Sequence, residues 1–329
     1  MDKGKVVFID RESGIPLVGT VFIGILDRGS SLLQVRATTF CNMNCNFCST
    51  DGGPFSKFHK NHFIVEPNYL IEELEKISEF KGYNIHYNID SVGEPSSYPH
   101  LIELITGINK IPKVVKVSMQ TNGSLLTKKL VDDLEKAGLT RLNVSVHSLD
   151  TLKAKLLFGS ENYNIEKVKE MLNYIKNTKI DLWITPVWIP KINDEDIVEL
   201  IKFAKENKFN LAIQKYETYR YSRKVKKGKK VNYWKFYKQL ENWEKEFGIK
   251  LKFTEDDPTI LRRKGLPLVF DINEKVQVII VSKGWFDNQV IAKAKDRCIT
   301  VLDCNGDIGN KISVKIIENT SNIYIAKLK

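Results

Sequence analysis

The sequence predicts an α/β protein built on a partial, open (β/α) barrel of six units, with an N-terminal β-hairpin and a small C-terminal β-barrel. Two observations predict this class. Strand-like and helix-like segments alternate from about residue 31 to residue 215, and short β runs fill the last sixty or so residues. The predicted domains are a hairpin extension over 1–30, a barrel domain over 31–250 and the small barrel over 270–329.

Each element follows from a local pattern. The N-terminal runs KVVFID, TVFIGIL and LLQVRATTF, with glycines in or beside the turns, indicate a hairpin that leads into a first buried strand. Helices of 3.6-residue period are predicted near 69–80, 101–109, 127–137, 165–177 and 194–206. The strands that alternate with them are YNIHYNID, VVKVSMQ, RLNVSVH, IDLWITPVW and LAIQKY. In parallel barrels the chemistry lies on the loops after the strand carboxyl ends.

The pattern changes beyond residue 215. A helix-like segment, YKQLENWEKEFG, closes the barrel domain. Five short runs then follow, separated by Gly, Asn and Asp, and predict a small barrel of oligonucleotide-binding type: KVQVIIVS, QVIAKAK, CITVLD, KISVKII and IYIAKL. Cys298 and Cys304 lie among these runs, and core packing is the favoured role because two thiolates cannot hold a cubane cluster.

Composition excludes several classes of protein. Hydrophobic residues make up 42% and charged residues 28% of the chain, and no apolar run approaches the roughly 18 residues of a membrane span. The N-terminus lacks the pattern of a secretory signal. Five cysteines, with three clustered, argue against a disulfide framework and for a reducing cytoplasm. Richness in Lys, Ile and Glu suggests a thermophilic archaeal source.

The stretch CNMNCNFC places Cys41, Cys45 and Cys48 on the loop after the first predicted barrel strand. A cubane [4Fe–4S] cluster has four irons, so three thiolates leave one iron open to an exchangeable ligand. Zinc is the first alternative, but a structural zinc site needs four ligands, and the nearby His59 and His62 lie in a polar loop without a paired CxxC. Three cysteines on a polar loop are also poor core material. The spacing therefore favours a cluster.

The CxxxCxxC spacing, with aromatic Phe47 just before the third cysteine, resembles the signature of the radical S-adenosylmethionine (radical SAM) superfamily. Further similarities follow on successive strands: DSVGEPSSYPHL resembles a GGEP stretch, SMQTNGSLLT a TNG stretch and LNVSVHSLD a fourth-strand motif. The resemblance covers about residues 31–215. It implies that a [4Fe–4S] cluster on Cys41, Cys45 and Cys48 reductively cleaves S-adenosylmethionine to a 5'-deoxyadenosyl radical. It also implies a low-potential electron donor such as ferredoxin or flavodoxin.

The same resemblance implies which residues contact S-adenosylmethionine: Phe47 by the adenine, the GEP stretch at the methionine amino group, and serines after the fourth strand at the ribose or carboxylate. The expected set is Phe47, Gly93, Glu94, Pro95, Thr121, Asn122, Ser145 and Ser148. His147 and Glu94 are the candidates for catalysis. A satisfied structural histidine is the alternative for His147, and a favourable acidic residue at a helix N-terminus is the alternative for Glu94.

Residues 215–238 form a basic segment that also carries many aromatic residues. It holds ten Lys or Arg, one Glu and seven aromatics, and so carries +9 of the net charge of +11. A solvated loop is the ordinary interpretation of a charge run. Cations interleaved with aromatic rings also suit RNA, because the cations neutralise its phosphates and its bases stack on the rings. The predicted RNA-binding residues are Arg220, Arg223, Lys224, Lys226, Lys227, Lys229, Lys230, Tyr233 and Trp234.

The C-terminal segment adds a second, independent indication. Its strand rhythm and its GDIGNKISVKI stretch resemble a TRAM domain, an RNA-binding barrel appended to several RNA-modifying enzymes. Together with the basic segment this favours modification of a nucleoside in RNA, tRNA first. The alternatives are a radical enzyme acting on a small molecule, peptide or protein in cofactor biosynthesis, and a non-enzymatic RNA-binding module. The modified atom, the reaction outcome and the oligomeric state are not encoded in these motifs.

Overall fold

The computed structural model describes residues 4–253 and 260–329 of the chain. Contacts divide the chain into two compact units. Unit 1 comprises Met1–Phe40, Lys57–Val117 and Thr259–Lys329, and unit 2 comprises Cys41–Ser56 and Ser118–Pro258. The three clustered cysteines and the basic segment therefore both belong to unit 2.

An N-terminal hairpin is present, but it is formed by the second and third strands and not by the first and second, as the sequence pattern suggests. The first four strands are β1 (Lys5–Ile9), β2 (Gly24–Asp27), β3 (Leu32–Arg36) and β4 (Asn61–Val65). β2 and β3 form the antiparallel hairpin, whereas β1 pairs in parallel with β4. The segment after β1 does not pair with β1, because its backbone forms hydrogen bonds with the C-terminal part of the chain instead. The carbonyl of Val18 accepts a hydrogen bond from the N–H of Cys298 at 2.8 Å, and the carbonyl of Gly19 accepts one from Tyr324 at 2.9 Å.

Unit 1 also carries the first part of the parallel sheet. Its elements are α1 (Pro67–Lys81), β5 (Ile85–Ile89), α2 (Leu101–Lys110) and β6 (Val114–Thr121). β3 pairs in parallel with β5, and β5 neighbours β6, which begins in unit 1 and ends in unit 2. The carboxylate of Glu66 caps α1 by accepting hydrogen bonds from the N–H groups of Asn68 and Tyr69, so that the helix begins near its predicted start.

Unit 2 continues the parallel sheet from β6. Its elements are α3 (Lys128–Lys136), β7 (Arg141–Val144), α4 (Thr151–Phe158), α5 (Ile165–Ile175), β8 (Asp181–Ile184), β9 (Val187–Trp188), α6 (Asp194–Asn207), β10 (Asn210–Leu211), β11 (Gln214–Lys215) and α7 (Tyr233–Phe247). The strand order is β10-β8-β7-β6, all parallel, and β9 pairs separately with β11. Six parallel strands, β3, β5, β6, β7, β8 and β10, confirm the predicted six-unit partial barrel.

Helix α4 is an element that the sequence pattern does not reveal. It begins after the capping carboxylate of Asp150 and ends at Gly159, which adopts a left-handed conformation with φ of 60°. Leu152 and Leu156 are exposed on one face, while Leu157 is buried on another. Apolar residues on both faces obscure the 3.6-residue period that marks the other helices. None of the helices in the described residues, α4 included, has the length and apolar character that a membrane span requires.

Five strands form the predicted small barrel within unit 1. They are β12 (Lys275–Lys283), β13 (Gln289–Ala294), β14 (Arg297–Leu302), β15 (Lys311–Glu318) and β16 (Ile325–Leu328). They close in the order β12-β13-β14-β16-β15, with β14 and β16 parallel. Cys298 and Cys304 are buried, and the thiol of Cys298 donates to the carbonyl of Pro16 at 3.0 Å. This confirms the expected core-packing role of both cysteines.

Candidate active site

The three clustered cysteines lie on a loop of unit 2 that follows β3 in the chain. Cys41, Cys45 and Cys48 are half-buried, and all five cysteines, which lie within the described residues, are outside disulfides. Burial raises the pKa of the Cys45 thiol well above its ordinary value, and the charges of Cys48 and Cys41 raise that pKa further. Arg223 acts on Cys45 in the opposite direction. The three thiols are therefore close enough to influence one another electrostatically.

The last turn of helix α4 binds the cysteine loop through two asparagines of that loop. The N–H of Asn44 donates to the carbonyl of Phe158 at 2.9 Å, and the N–H of Asn46 donates to the carbonyl of Leu157 at 3.0 Å. The side-chain amide of Asn46 adds a bond to the carbonyl of Leu156 at 3.1 Å. Carbonyls of a last helical turn have no partner inside the helix. The end of α4 and the cysteine loop thus satisfy each other's polar groups.

Asn42, the residue after the first cysteine, ties the loop to the TNG stretch. Its Oδ1 accepts from Nδ2 of Asn122 at 2.9 Å, and its Nδ2 donates to Oγ of Ser124 at 2.9 Å. Oδ1 of Asn122 accepts from the N–H and the hydroxyl of Ser124 at 2.9 and 2.6 Å. The buried hydroxyl of Thr121 accepts from the N–H of Gly123 at 3.1 Å. Asn122 and Thr121, predicted as cofactor contacts, thus take part in shaping the loop.

The basic segment reaches the cysteine loop through Arg223. Its guanidinium donates to Oδ1 of Asp51 at 2.6 Å, to the carbonyl of Cys45 at 2.8 Å and to the carbonyl of Gly52. Its own N–H donates to the carbonyl of Cys48 at 2.9 Å. Arg223 was predicted to bind RNA, but the cysteine loop engages its guanidinium. The contact of Arg223 with RNA stays a prediction.

The GEP stretch lies in unit 1, beside the end of the segment that precedes the cysteines. The N–H of Glu94 donates to the carbonyl of Phe40 at 2.6 Å, and a Cβ on Gly93 would overlap that same carbonyl. The carboxylate of Glu94 accepts from the N–H and the hydroxyl of Ser96 at 3.0 and 2.6 Å, and so caps a short 3-10 helix that begins at Pro95. Buried at 2% exposure, Glu94 has the helix-capping role that was the alternative to catalysis.

Ser145 and Ser148 both follow β7, but their surroundings differ. Oγ of Ser145 accepts from Nε2 of Gln120 at 3.1 Å, and Nε2 also donates to Oγ1 of Thr185 at 2.9 Å. Ser148 is fully buried, and its hydroxyl accepts from the N–H of Asp150 at the start of α4. Motif comparison missed Gln120 and Thr185. Polar residues at the carboxyl ends of neighbouring parallel strands were the signal that could have found them.

His147 and Phe47 pack against each other inside unit 2. Their ring centroids are 4.7 Å apart in an edge-on arrangement, and Nδ1 of His147 accepts from the N–H of Val187 at 3.0 Å. Burial lowers the pKa of His147 to about 3, so its imidazole is neutral at physiological pH. Phe47 is also buried, beside Leu157 and Ile189. His147 therefore has the satisfied, structural character that was the alternative to catalysis.

Most of the predicted RNA-binding residues are exposed. Tyr233 and Trp234, in the first turn of α7, are 61% and 71% exposed. A side-chain hydrogen bond with Lys191 and the positive charge of Lys191 lower the pKa of Lys229. Cations are therefore crowded on this surface. Nζ of Lys215 lies 4.6 Å from the ring centroid of Tyr233. The exposed cations of the segment are Arg220, Lys224, Lys226, Lys227, Lys229, Lys230, Lys235 and Lys238.

The site thus combines six parallel strands with a three-cysteine loop after the first of them. A sequence model of the radical SAM superfamily matches residues 35–204, slightly more than half of the chain. The chain belongs to the radical SAM superfamily.

Two relatives show how far the similarity extends. The uncharacterized archaeal protein MJ0103 of Methanocaldococcus jannaschii is 39% identical over 353 residues, which cover 99% of this chain and 81% of that protein. GTP 3',8-cyclase of Aquifex aeolicus is 31% identical over 180 residues, which cover 55% of this chain and 54% of the cyclase. The chain thus spans about half the length of the cyclases it matches.

Among solved structures, SuiB of Streptococcus suis shares the fold. Its TM-score is 0.50 at 18% identity, and the alignment covers 74% of this chain and 51% of SuiB. This is a likeness of fold alone.

The cofactors are a [4Fe–4S] cluster and S-adenosylmethionine, as in other members of the superfamily. The donor set fits a cluster, because three mutually interacting thiols share one loop. Within the described residues, no three His, Cys, Asp or Glu side chains form a group that could hold a single metal ion. A cubane binds each thiolate to a different iron, so its ligands need not converge on one point.

Replacing Gly93 with valine is expected to weaken S-adenosylmethionine binding. Any Cβ at this position overlaps the carbonyl of Phe40, so the GEP backbone must move. We expect at least about tenfold weaker binding, measured by equilibrium dialysis on anaerobically reconstituted protein. Gly82, whose added Cβ would meet nothing within 4 Å, is the control position. Because Gly82 has φ of 95°, the control substitution is Gly82→Asn. Unchanged affinity in Gly93→Val would remove the GEP stretch from the cofactor site.

Proposed function

We propose that this radical SAM enzyme modifies a nucleoside in RNA, with tRNA as the first candidate. One observation carries the proposal. The segment that exposes the cations and aromatic rings is the same segment whose Arg223 hydrogen-bonds to the cysteine loop. A polyanion bound to this segment would therefore lie next to the loop that carries the cluster, and both belong to unit 2.

The composition of the exposed surface favours RNA over a simple anion. Lysines neutralise phosphates, and exposed rings stack with unpaired bases. Tyr233 and Tyr237 have ring centroids 6.3 Å apart at an interplanar angle of 26°, which extends the aromatic surface along α7. We call the following residues the basic surface: Arg220, Lys224, Lys226, Lys227, Lys229, Lys230, Tyr233 and Trp234.

The small barrel offers a second surface for phosphate groups. Lys275 of β12 lies opposite Lys315 of β15, and Lys315 lies opposite Lys327 of β16. All three side chains are exposed. Like charges directly opposite one another destabilise a sheet, and RNA phosphates would offset that repulsion. In this proposal the lysine row is the RNA-contacting part of the TRAM-like barrel.

The chemistry of the enzyme depends on its cofactors. When bound, they supply a 5'-deoxyadenosyl radical that removes a hydrogen atom from substrate. Cys41, Cys45 and Cys48 would hold the cluster, and Ser145 of the same unit would contact S-adenosylmethionine. A low-potential donor such as ferredoxin or flavodoxin would supply the electron. The target nucleotide should be unpaired or flipped out, because a stacked base cannot reach an enclosed radical source.

A small nucleotide is the second candidate substrate. The similarity to GTP 3',8-cyclases supports it, since their name states a mononucleotide substrate. That similarity covers about half of each chain. The match to the superfamily model ends at residue 204, before the basic segment and the small barrel. The segments outside it are the ones that favour RNA.

Production of 5'-deoxyadenosine distinguishes the two candidates. Reconstituted protein with reductant should form 5'-deoxyadenosine faster with unmodified tRNA than with GTP. The tRNA of a strain without this protein should lack one modified nucleoside, which mass spectrometry of the tRNA nucleosides would reveal. An unchanged nucleoside profile, together with stimulation by GTP alone, would replace the RNA proposal with the nucleotide one.

A further inference from the structure

Among the side chains that hold the cysteine loop from outside, that of Arg223 is not part of the superfamily signature. Arg223 contacts the loop on both sides of Cys48, through the carbonyls of Cys45 and Gly52 and the carboxylate of Asp51. All of these groups belong to unit 2. We infer that Arg223 is a positioning residue that fixes the cluster-binding loop and raises the reduction potential of the cluster.

The contact set requires a guanidinium. Three acceptors on different residues are met by Nε, Nη1 and Nη2, each of which donates in the plane of the same group. The ammonium group of a lysine is a point charge without that planar fork. The neighbouring residue completes the attachment, since the hydroxyl of Ser222 donates to the carbonyl of Ser49 at 2.7 Å.

The loop beyond Cys48 needs external support. Asp51 has φ of 57°, which is uncommon for a residue with a side chain, and Gly53 has φ of 110°. Such conformations persist where the surroundings hold them. Arg223 binds one carboxylate oxygen of Asp51 at 2.6 Å, and the hydroxyl of Ser56 binds the other at 3.0 Å. The N–H of Gly52 then donates to Sγ of Cys48 at 3.2 Å.

Burial separates Arg223 from the cations of the basic surface. The side chains of Arg223 and Asp51 are 16% and 2% exposed, whereas Arg220 and Lys224 are exposed. A buried ion pair is screened little by salt. Its two charges would therefore act on a cluster held by this loop, the positive one favouring the reduced, more negative cluster and the negative one opposing it. This inference does not depend on what the substrate is.

Opposite shifts in reduction potential provide the test. R223Q removes the positive charge and should lower the midpoint potential, while D51N removes the negative charge and should raise it. R223K keeps the charge and loses the planar fork, so its potential should remain near that of the parent. R220Q is the matched control, because Arg220 is an exposed arginine of the same segment. Potentials are measured by redox titration followed by electron paramagnetic resonance.

Cluster retention is the second readout. R223Q and D51N should lose iron to a chelator about tenfold faster than the parent, and R223K should fall between them and the parent. R220Q should match the parent. Potentials in R223Q and D51N that stay equal to the parent, or shift in the same direction, would overturn the inference. So would iron loss from R223Q at the rate seen in R220Q. If R223Q does not fold, the double variant R223Q/D51N replaces it, and its potential should lie below that of D51N because the two differ only in the charge at position 223.

Discussion

Replacing Cys41, Cys45 and Cys48 together with alanine is expected to abolish the cluster, leaving close to no iron where the parent holds about four irons per chain. The reason is local, because all three thiols lie on one loop and act on one another. The broad near-visible absorbance of the reconstituted protein should disappear, and no 5'-deoxyadenosine should form. Iron assay, absorbance and product analysis measure these three outcomes under anaerobic conditions.

The matched control is a Cys298→Ala, Cys304→Ala double variant. Both of these cysteines are buried in unit 1, and Cys304 belongs to the core of the small barrel. This control should lose stability through the cavity it leaves, but keep the iron content of the parent. A triple variant of the clustered cysteines that retained both iron and S-adenosylmethionine cleavage would falsify the ligand assignment.

Reversing four lysines of the basic surface to glutamate should weaken tRNA binding at least tenfold at physiological salt. The variant is Lys226→Glu, Lys227→Glu, Lys229→Glu, Lys230→Glu, and its slope of log affinity against log salt should flatten by about one unit per lost phosphate contact. Iron content and the basal cleavage of S-adenosylmethionine should stay at parent levels. Filter binding at several salt concentrations measures the affinity.

A quadruple reversal elsewhere in unit 2 separates this effect from net charge. The control positions are exposed lysines in and beside α3 and α5: Lys129, Lys136, Lys167 and Lys179. The control changes the net charge equally and should bind tRNA far better than the test variant. Equal loss in both variants would reduce the effect to overall charge, and no loss in either would contradict the RNA proposal. A Lys275→Glu, Lys315→Glu, Lys327→Glu variant extends the test to the small barrel.

Point variants are preferable to a truncation for the small barrel. Removing the chain after about residue 270 would also remove partners of the N-terminal segment. Cys298 and Tyr324 donate backbone hydrogen bonds to Val18 and Gly19, and Nζ of Lys293 donates to the carbonyl of Gly14 at 2.8 Å. A truncated protein would therefore be altered in unit 1 as well as in RNA binding.

Most of the barrel could be predicted because its signals are local. Each parallel strand is a short apolar run, and helices such as α1 and α5 have one apolar stripe, so periodicity finds both. Helix α4 lacks such a stripe, and only its caps at Asp150 and Gly159 mark it. The partner of β1 could not be predicted, since pairing between β1 and β4 spans more than fifty residues of sequence.

The candidate site shows the same division. The cluster ligands were predictable because three cysteines within eight residues form a local pattern. The role of Arg223 was not, since it lies 172 positions from Asp51 in the chain and its own surroundings are those of a charge run. His147 and Glu94 stand at motif positions, but no motif reports that both side chains are buried and accept hydrogen bonds from backbone N–H groups.

The hydrogen bonds of Val18 and Gly19 have a consequence for how the chain is made. Their partners, Cys298 and Tyr324, are synthesised 280 and 305 residues later, so unit 1 stays incomplete until the small barrel has been made. Unit 2 has all of its residues once the chain has passed Pro258. The cysteine loop and its supports from α4 and Arg223 can therefore assemble first. Iron–sulfur delivery in the cell can thus begin on a nascent chain in which Val18 and Gly19 still lack their partners in the small barrel.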